Sequence, residues 1–429
     1  MPSLSRRALL QAAFAPKRRP NVLLILMDDL GWKDFGCYGS EYYATPNIDA
    51  LAARSVRFER FYAACPVCSP TRASVLTGKY PVRTGVTDWI PGYPPPKDAP
   101  LKTPKTKTEL SLSEKTIAEY LRPLGYNTAS FGKWHLGGEG FSPTDQGFHR
   151  NVGGDHRGSP NRYLAPFTMS GLGGAPAGTE LTGYLNQQAL HWALEQQRQN
   201  QPYFLYLPHF AVHTPLGSLP ALIEKHKQRK HINPAYSAMM ECVDNAIGEL
   251  TRSLDLSNTI TILTSDNGGI VNLRGTPVTS NAPLREQKGY LYEGGIRVPC
   301  LISAPKLKPR VVDRPACSVD LLPTILDLLG EAPPADIDGQ PLFGKRRERP
   351  YYWHYPHYHG LGGKPGAAVV DGDWKLIEHF EDKRVELFHL GRDAGEKQDL
   401  SSREPKRTAR LLAGLHTWQK AAGAIFPQH

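Results

Sequence analysis

The sequence lacks several features that would assign it quickly to a class of proteins. Its 429 residues contain no apolar run long enough to span a bilayer, so we predict no membrane-spanning helix. No internal repeat is present, which argues against a repeat array. Six cysteines are too few for a disulfide framework in a chain of this length. What remains is a globular chain with one large domain and a smaller one.

The two cysteines that lie close together lack the context of a known cysteine site. Cys65 and Cys68 form a C-x-x-C pair. No thioredoxin-like βαβ pattern surrounds the pair, as a redox dithiol would require. No second C-x-x-C or H-x-x-x-H completes a zinc site. The pair therefore predicts neither a redox centre nor a zinc finger.

The balance of charge is positive, with a formal net charge of +10. A basic surface favours acidic partners such as nucleic acid, anionic lipid, or sulfated or phosphorylated substrates, and a basic surface without a specific partner fits equally well. The basic runs near residues 105–109 and 344–349 are short and loop-like, and no long basic tract occurs. We therefore predict no nucleic-acid partner.

The first 19 residues resemble an export signal. Arg6 and Arg7 precede a short apolar stretch that ends in Ala-Phe-Ala at residues 13–15. This pattern is similar to a twin-arginine signal and implies a periplasmic or secreted protein. The apolar stretch is short, and Pro16 follows the cleavage point directly. A disordered basic tail on a cytoplasmic protein stays open as the alternative.

Alternating strand and helix patterns predict the fold class. Continuous apolar runs at 21–29, 128–134, 203–210, 259–268 and 298–305 are typical of strands covered on both faces. Thr45 and Pro46 favour a helix start, Ser111 and Glu114 resemble a capping box, and Gly125 favours a helix end. Helical periodicity also covers residues 235–254 and 320–330. We expect an α/β domain with a doubly wound, mostly parallel sheet between helices.

The pattern of apolar and polar residues changes near residue 340. The stretch PLFGKRRERP is typical of a linker, and the short alternating segments after it predict an antiparallel sheet. A final helix is expected over residues 408–423. The predicted organisation is a signal-like or disordered N-terminus at 1–19, a catalytic α/β domain at 20–340, and a smaller α+β subdomain at 341–429.

Polar residues follow the predicted strands, where function gathers in an open α/β sheet. Asp28 and Asp29 end the first strand, and Asp266 and Asn267 end a later one. Buried like charges need compensation, and a set of oxygen ligands suits Ca²⁺ or Mg²⁺ better than zinc. Spacing alone leaves a metal site and a structural turn cluster equally open.

Cationic and titratable residues occupy similar positions after strands: Lys133, His135, His213 and Lys288. Each one by itself is more often a solvated lysine or a structural histidine. The evidence that these residues are functional therefore depends on the motifs that contain them.

Cys68 is expected at the start of a short helix. Pro70 suits the first turn and Gly78 the end, so the thiol would lie where free N–H groups attract anions. A small buried hydrophobic residue is the plain alternative. A thiol is also a poor ligand for a hard cation, so an unmodified Cys68 would not match the oxygen cluster.

Two long motifs account for this mismatch, because they resemble the signatures of a known family. VCSPTR at 67–72, followed by ASVLTG, resembles the first signature of type I sulfatases, and GYNTASFGKWH at 125–135 resembles their second. MDDLGW, AVHTP, TSDNGG and KGYLYEGGIRVP also look like family segments, in the family's order. The resemblance covers roughly residues 20–400. The chain is thus similar to formylglycine-dependent sulfatases of the alkaline phosphatase-like superfamily, especially bacterial carbohydrate sulfatases.

The resemblance implies a modified residue and a metal. In the family a separate maturation enzyme oxidises the signature cysteine, here Cys68, to formylglycine, whose hydrate attacks the sulfur of a sulfate ester. Cys65 does not match that position and is read as structural. One Ca²⁺, with Mg²⁺ less fitting, would be bound by modified Cys68 and by the four oxygen-bearing residues Asp28, Asp29, Asp266 and Asn267.

The resemblance also implies roles for the cationic residues. His213 would protonate the leaving alcohol, and His135 would act as the base when sulfate is expelled. Lys133 and Lys288 would neutralise sulfate oxygens. Arg72 would hold residue 68 and the metal ligands.

Further histidines are candidate contacts to a sulfated saccharide. His156 lies where the family often adds a substrate contact, with a structural role slightly favoured. The stretch WHYPHYHG carries His354, His357 and His359 among tyrosines. Such side chains suit stacking and hydrogen bonding to sugars, and a packed aromatic cluster fits equally well. His156, His354 and His357 are the committed candidates.

Other functions stay open at this point. A phosphonate monoester or phosphodiester hydrolase of the same superfamily can share the formylglycine. A non-catalytic glycan-binding relative could keep the fold, although the intact set of candidate catalytic residues argues against it. A dizinc phosphatase is disfavoured because it needs His-rich ligands and a Ser or Thr nucleophile. The sequence predicts no oligomeric state.

Overall fold

The first strand, which is apolar after Asn21, lies in the middle of a large mixed sheet. The computed structural model describes residues 18–344 and 348–429. The twin-arginine pattern at Arg6 and Arg7 lies outside the described residues, as do residues 345–347 of the predicted linker. Among the described residues, no helix combines the length and the apolar character needed to cross a membrane.

The strands divide between a large sheet, a C-terminal sheet and a small hairpin. The large sheet contains β1 (Asn21–Met27), β2 (Val56–Tyr62), β3 (Asn127–Phe131), β4 (Arg150–Val152), β5 (Tyr203–Pro208), β6 (Thr259–Ser265), β9 (Arg297–Ser303), β10 (Arg310–Val312) and β11 (Ala316–Cys317). The hairpin pairs β7 (Asn272–Leu273) with β8 (Thr276–Pro277). The C-terminal sheet contains β12 (Tyr351–Tyr355), β13 (Gly366–Asp371), β14 (Trp374–His379) and β15 (Val385–His389).

Helices separate most of these strands. They are α1 (Pro46–Ala52), α2 (Cys68–Thr77), α3 (Pro81–Thr84), α4 (Ile117–Leu121), α5 (Leu181–Arg198), α6 (Pro220–Lys227), α7 (Pro234–Ser253), α8 (Glu293–Ile296), α9 (Leu321–Leu328) and α10 (Pro405–Ala422). Short 3-10 helices lie at Gly36–Tyr38, Arg122–Leu124, Pro143–Gln146, Leu256–Asn258 and Ser318–Asp320.

The large sheet is mostly parallel, which confirms the predicted fold class. Its strand order is β10-β2-β9-β6-β1-β5-β3-β4, with β11 also paired to β2. Strand β1 runs parallel to β5 on one side and to β6 on the other. Strand β9 is antiparallel to both of its neighbours. The carboxyl ends of β1, β5 and β6 therefore meet at one edge of the sheet.

Each face of the large sheet is covered by helices. Leu23 and Ile25 of β1 join a core that includes α5 and α7 residues. Leu24, on the opposite face, joins a core that includes α2 and α9 residues. Alternate residues of one strand point to opposite faces, so a strand buried on both sides is continuously apolar.

The capping residues of two predicted helices differ from the structure. Helix α1 begins at Pro46 as expected, but the Thr45 side chain does not cap it and instead accepts the Gly36 N–H at 2.8 Å. The capping box near α4 uses Thr116 and Glu119 rather than Ser111 and Glu114. The predicted pair was wrong because the chain becomes helical one turn later.

The C-terminal sheet is an antiparallel meander in the order β12-β13-β14-β15, as expected. One face packs on α10 through Leu411 and Leu415. The other face, with Trp353 and Ile377, joins a cluster that includes Tyr62 of β2. This second face therefore attaches the small sheet to the large α/β part.

Candidate active site

The ends of four parallel strands bring the predicted site residues together. Asp28 follows β1, Lys133 follows β3, His213 follows β5 and Asp266 follows β6. Register aligns Met27 with Ser265, so the polar residues after β1 and β6 are neighbours in space. Short polar segments that lie far apart in the sequence thus form one cluster.

Two lysines pair with the adjacent aspartates. The Lys133 ammonium donates to Asp28 Oδ2 at 2.8 Å, and both side chains are fully buried. The Lys288 ammonium lies 2.5 Å from Asp29 Oδ1. The sequence assigned these lysines to sulfate oxygens, and the structure adds that each one also neutralises a carboxylate.

Arg72 holds the carboxylate of Asp266, the first residue after β6. Its Nε donates to Asp266 Oδ2 at 2.9 Å, and Nη1 donates to the Lys133 carbonyl at 3.0 Å. Asp266 Oδ1 accepts the Asp29 N–H at 3.2 Å. Arg72 is the fifth residue of α2, one turn after Cys68, so the first signature places this guanidinium beside the cluster.

Three buried oxygens in the cluster lack a hydrogen-bond donor among the described residues. They are Asp28 Oδ1, Asp29 Oδ2 and Asn267 Oδ1. A buried acceptor without a partner is costly, so native structures rarely leave several together. A hard cation accepts such oxygen ligands, and these residues therefore fit a Ca²⁺ or Mg²⁺ ion. Ligand atoms of Asp28, Asp29 and His213 also lie within 4.8 Å of one another, as a metal site requires.

The two adjacent carboxyl groups differ in acidity. Burial raises the pKa of Asp28 to about 8, although Lys133 lowers it. Burial would also raise the pKa of Asp29, but Lys288 and His213 together hold that pKa below its ordinary value. A bound cation would favour the ionised form of both groups. A cation would therefore oppose the effect of burial on the Asp28 carboxyl group.

Cys68 is the first residue of α2 and is buried beside the cluster. Its Sγ lies 3.4 Å from His135 Nδ1. Burial raises the pKa of the thiol, although Lys133 and Lys288 lower it. A thiol with a raised pKa is protonated at neutral pH and is a weak nucleophile. The unmodified side chain is thus poorly suited to attack an ester. Cys65 is buried one turn earlier, and its N–H donates to Thr71 Oγ1 at 3.1 Å.

Backbone carbonyls orient the two catalytic histidine candidates. His135 Nε2 lies 2.6 Å from the Ile90 carbonyl oxygen, and His213 Nδ1 lies 2.6 Å from the Thr214 carbonyl oxygen. A carbonyl only accepts, so each of these ring nitrogens carries a proton. Burial lowers the pKa of His135 well below its ordinary value, and it lowers the pKa of His213 to about 3. Both rings are therefore neutral and present one free nitrogen to the site.

The backbone conformation at the motifs is unusual. Asp29 and His135 have φ angles of 59° and 58°, in the left-handed region that non-glycine residues seldom adopt. Gly132 has a φ of 129°, and a Cβ at this position would overlap the Pro208 carbonyl. Lys133 N–H donates to the same carbonyl at 2.8 Å. Glycine thus lets the end of β3 approach β5 closely enough to place Lys133.

A cavity of about 420 Å³ opens above Cys68. Its floor includes Cys68, His135, His213 and Lys288. The residues between 89 and 93 form an apolar and aromatic wall, and Arg274 of the β7–β8 hairpin also lines the cavity. The structure therefore combines a polar, cationic floor with a wall suited to the face of an organic ring.

The predicted substrate residues do not share one location. His156 is exposed and lines the cavity. His354 is buried, with Nε2 3.0 Å from the Ile425 carbonyl oxygen, and His357 Nε2 lies 2.9 Å from Thr87 Oγ1. Neither of these two lines the cavity, whereas His359 does.

Several cavity residues were not identified from the sequence: Trp89, Ile90, Tyr93, Arg157 and Arg274. The only signal was a Pro- and Gly-rich loop with aromatic residues directly after the first signature, which is typical of a functional loop. Arg274 gave no signal, because its position depends on the small hairpin.

Known protein families match almost the whole described chain. The family model for Sulfatase matches residues 20–331, and the model for N-sulphoglucosamine sulphohydrolase, C-terminal, matches residues 286–419. N-acetylgalactosamine-6-sulfatase of Canis lupus familiaris is 32% identical over 91% of this chain and 83% of its own length. Arylsulfatase A of Homo sapiens is 35% identical over 81% of this chain and 73% of its own length.

Solved structures show the same architecture. Ps i-CgsB, in complex with k-i-k-neocarrahexaose, matches with a TM-score of 0.78 and 27% identity, over 93% of this chain and 92% of that chain. The PsFucS1 sulfatase from Pseudoalteromonas sp. matches with a TM-score of 0.73 and 22% identity, over 98% of this chain and 93% of that chain. The second likeness bears on the fold alone.

Proposed function

The chain belongs to the sulfatase family, and from this premise we propose that it removes sulfate from a sulfated saccharide, using a formylglycine made from Cys68 and one bound Ca²⁺. The net reaction consumes water and yields an alcohol, a sulfate ion and a proton. The observation that carries the proposal is the meeting of Cys68, the unpaired oxygens and Lys288 at the floor of one cavity.

A saccharide substrate is supported by the relatives and by the cavity. One relative is named for the 6-sulfate of N-acetylgalactosamine, and Ps i-CgsB was solved with a carrahexaose. Trp89 and Tyr93 line the cavity wall, and aromatic rings suit the apolar face of a sugar. His156 and His359 lie in the same cavity and are the histidines that we propose as saccharide contacts.

Residue 68 supplies the nucleophile in this proposal. A maturation enzyme would oxidise the thiol, and the hydrated aldehyde would attack sulfur. Burial beside Lys133 and Lys288 places this side chain among positive charges, which suit an approaching sulfate. The raised pKa of the thiol supports the need for modification, since the protonated thiol is a weak nucleophile.

The oxygen cluster would hold the cation. Asp28, Asp29 and Asn267 each offer an unpaired oxygen, and Asp266 is aligned by Arg72. A cation bound there would lower the pKa of a hydroxyl group that contacts it. We favour Ca²⁺ over Mg²⁺ because several protein oxygens converge and Mg²⁺ usually keeps more water.

The histidines would move protons. His135 presents Nδ1 toward residue 68 at 3.4 Å, so this nitrogen is placed to accept a proton from residue 68. His213 presents Nε2 toward the site, 3.6 Å from Asp29 Oδ2. We propose that His213 protonates the leaving alcohol. A role as a metal ligand is the second candidate for His213, because its nitrogen lies in the possible metal cluster.

The state of Cys68 can be read from one peptide. Trypsin cuts after Arg60 and Arg72, so residues 61–72 carry both Cys65 and Cys68. In protein from the native host we expect one alkylatable thiol, at Cys65, and one aldehyde, at residue 68, captured by a hydrazide and located by tandem mass spectrometry. Cys65 is the internal control for oxidation during handling. A fully active enzyme with two intact thiols would rule out the formylglycine.

The metal can be tested by composition as well as by activity. We expect about one calcium per chain by elemental analysis, and loss of calcium in Asp266→Ala, with activity abolished. Chelation should lower the melting temperature, since a ligand that binds only the folded state stabilises it. Asp244→Ala is the control, because Asp244 is a buried carboxylate that accepts the Ile48 N–H at 2.9 Å, away from the cluster. Stoichiometric zinc without calcium would contradict the assignment.

A further inference from the structure

The wall of the cavity is a loop that also contacts the catalytic floor. We name residues 87–93 the cavity loop; Trp89, Ile90 and Tyr93 line the cavity. The loop lies between the floor, which carries Cys68, and the C-terminal strand β12. Its shape therefore affects both the saccharide wall and the catalytic residues.

One buried carboxylate organises this loop. Asp88 is 1% exposed. Its Oδ1 accepts the Trp89 N–H at 2.9 Å, and its Oδ2 accepts the Tyr93 N–H at 3.0 Å. The Tyr355 hydroxyl, from β12, donates to Oδ1 at 2.9 Å. Three donors from two parts of the chain thus converge on one side chain, which closes the loop into a fixed turn.

The residue at the centre of the loop contacts the floor in two directions. Ile90 N–H donates to Ser69 Oγ at 3.1 Å, beside Cys68. The Ile90 carbonyl oxygen accepts from His135 Nε2 at 2.6 Å. The loop that Asp88 closes therefore delivers a single carbonyl to the His135 ring.

That carbonyl determines which ring nitrogen faces residue 68. Because it can only accept, the proton of the neutral ring stays on Nε2 and the lone pair stays on Nδ1. Nδ1 is the nitrogen 3.4 Å from Cys68 Sγ. A rotated or missing carbonyl would release the other tautomer, in which Nδ1 carries the proton and cannot accept one.

We propose that Asp88 is a positioning residue that holds His135 in the tautomer needed for proton acceptance, acting through the Ile90 carbonyl. The role of His135 as an acceptor rests on the proposed function. The contact from Asp88 through the loop to the imidazole rests on geometry alone.

The C-terminal segment supports the same loop. Tyr355 donates to Asp88, and His357 contacts the Thr87 hydroxyl. This segment was expected to touch the substrate through His354 and His357. Its contacts through Tyr355 and His357 support the cavity loop, whereas His359 of the same stretch lines the cavity itself.

The test uses two tyrosines of β12 as a matched pair. Tyr355 and Tyr351 are both 1% exposed, and each donates to a buried aspartate: Tyr355 to Asp88, and Tyr351 to Asp320 at 2.6 Å. Asp320 lies at the start of α9 and does not line the cavity. Tyr355→Phe and Tyr351→Phe each remove one buried hydroxyl, so both should lower the melting temperature, whereas only Tyr355→Phe should affect the reaction.

We expect Tyr355→Phe to lower kcat by about 3-fold and Asp88→Asn by about 10- to 100-fold, since a small misplacement of a catalytic group can cost about 100-fold. Asn keeps one acceptor oxygen, but the amide nitrogen that replaces Oδ2 cannot accept the Tyr93 N–H. The effect of Asp88→Asn should therefore exceed that of Tyr355→Phe. The kcat should fall on an activated aryl sulfate as well as on a saccharide sulfate, because His135 serves both substrates. If Asp88→Asn fails to fold, Tyr355→Phe still decides the question.

A second readout does not depend on turnover. Nitrogen NMR of protein labelled at histidine distinguishes the two neutral tautomers, and His135→Gln assigns the signal. The wild-type ring and the Tyr351→Phe ring should show a protonated Nε2; Tyr355→Phe and Asp88→Asn should shift the ring toward the other tautomer.

An unchanged His135 signal in both loop variants overturns the proposal, whatever happens to kcat. Equal kcat values for Tyr355→Phe and Tyr351→Phe overturn it as well. If Tyr355→Phe and Asp88→Asn show the tautomer shift but the wild-type enzyme hydrolyses no sulfate ester, the proposed function is contradicted and the positioning role stays in place.

Discussion

Two imidazoles in the cavity are held by opposite nitrogens. His135 donates Nε2–H to the Ile90 carbonyl, and His213 donates Nδ1–H to the Thr214 carbonyl. Consequently His135 offers Nδ1 to the site and His213 offers Nε2. A neutral His213 must gain a proton before it can give one to an alcohol, and its pKa of about 3 shows that burial opposes this step. An anionic sulfate beside the ring would favour the protonated form.

This reasoning gives a test of His213 at the scale of one residue. A sugar alkoxide is a poor leaving group, whereas a nitrophenolate leaves well without help. General acid catalysis is worth about 10²- to 10⁴-fold. We therefore expect His213→Ala to lose about that factor on a saccharide sulfate and far less on a nitrophenyl sulfate, in single-turnover measurements.

Metal content separates the two roles of His213. If the residue is the acid, His213→Ala should keep its calcium. Loss of calcium together with equal rate losses on both substrates would assign His213 to the metal. His226→Ala is a suitable control. His226, on helix α6, pairs with Glu241 of α7 at 2.9 Å and does not line the cavity.

At the scale of elements, helix ends decide where side chains point. Helix α2 begins at Cys68 and ends at Gly78, whose φ of 70° suits glycine. The ten residues of α2 are all buried, so neither end can move without disturbing the core. This burial on every side explains why Cys68 and Arg72, one turn apart, hold fixed positions under the cavity.

Helix α4 offers a prediction about capping. Thr116 Oγ1 accepts the Glu119 N–H at 3.4 Å and donates to the Gln146 carbonyl at 2.8 Å. Thr116→Ala removes both contacts and should lower the free energy of unfolding by about 1–2 kcal/mol. Ser111→Ala, at the position that the sequence favoured, should change it by less than about 0.5 kcal/mol. Urea denaturation of the two variants decides between these positions; a larger loss for Ser111→Ala would contradict the structure.

At the scale of the whole molecule, a buried ion cluster joins the two sheets. Lys375 of β14 lies 2.9 Å from Glu293 Oε1 and 2.8 Å from Glu396 Oε1, and all three side chains are fully buried. Burial raises the pKa of Glu396 to about 7, although Lys375 lowers it. Glu293 begins helix α8, shortly after Lys288, so the small sheet is connected to the segment that carries a lysine of the cavity floor. A domain boundary near residue 340 remains our proposal.

The cluster predicts a large effect from one substitution. Lys375→Met removes the shared cation and should cost about 3–5 kcal/mol of unfolding free energy, because two buried carboxylates lose their partner. Adding Glu396→Gln should recover part of the loss, since it removes one uncompensated charge. Lys364→Met is the control: Lys364 is largely exposed and pairs with Glu381 at 2.6 Å, so its loss should stay below about 1 kcal/mol. Similar losses of unfolding free energy for the two lysines would show that the buried cluster stabilises the fold no more than an exposed ion pair does.

The identities of the central residues followed from the sequence by itself. Apolar runs marked the strands, and motifs that resemble the sulfatase signatures and segments singled out Asp28, Cys68, Lys133, His213 and Asp266 as candidates. This was possible because strand period and motif spacing are local properties of the chain. The parallel arrangement of the strands then implied that their carboxyl ends meet at one edge.

Only the tertiary structure decided how these residues are paired. Lys133 reaches Asp28 across 105 positions of sequence, and Tyr355 reaches Asp88 across 267. Contacts at such separations depend on strand register and on the docking of the small sheet, which no local pattern encodes. The same reason explains why His357 could be noticed in the sequence but not placed behind the cavity loop. It also explains why the tautomer of His135, which depends on one carbonyl 45 positions away, became visible only in three dimensions.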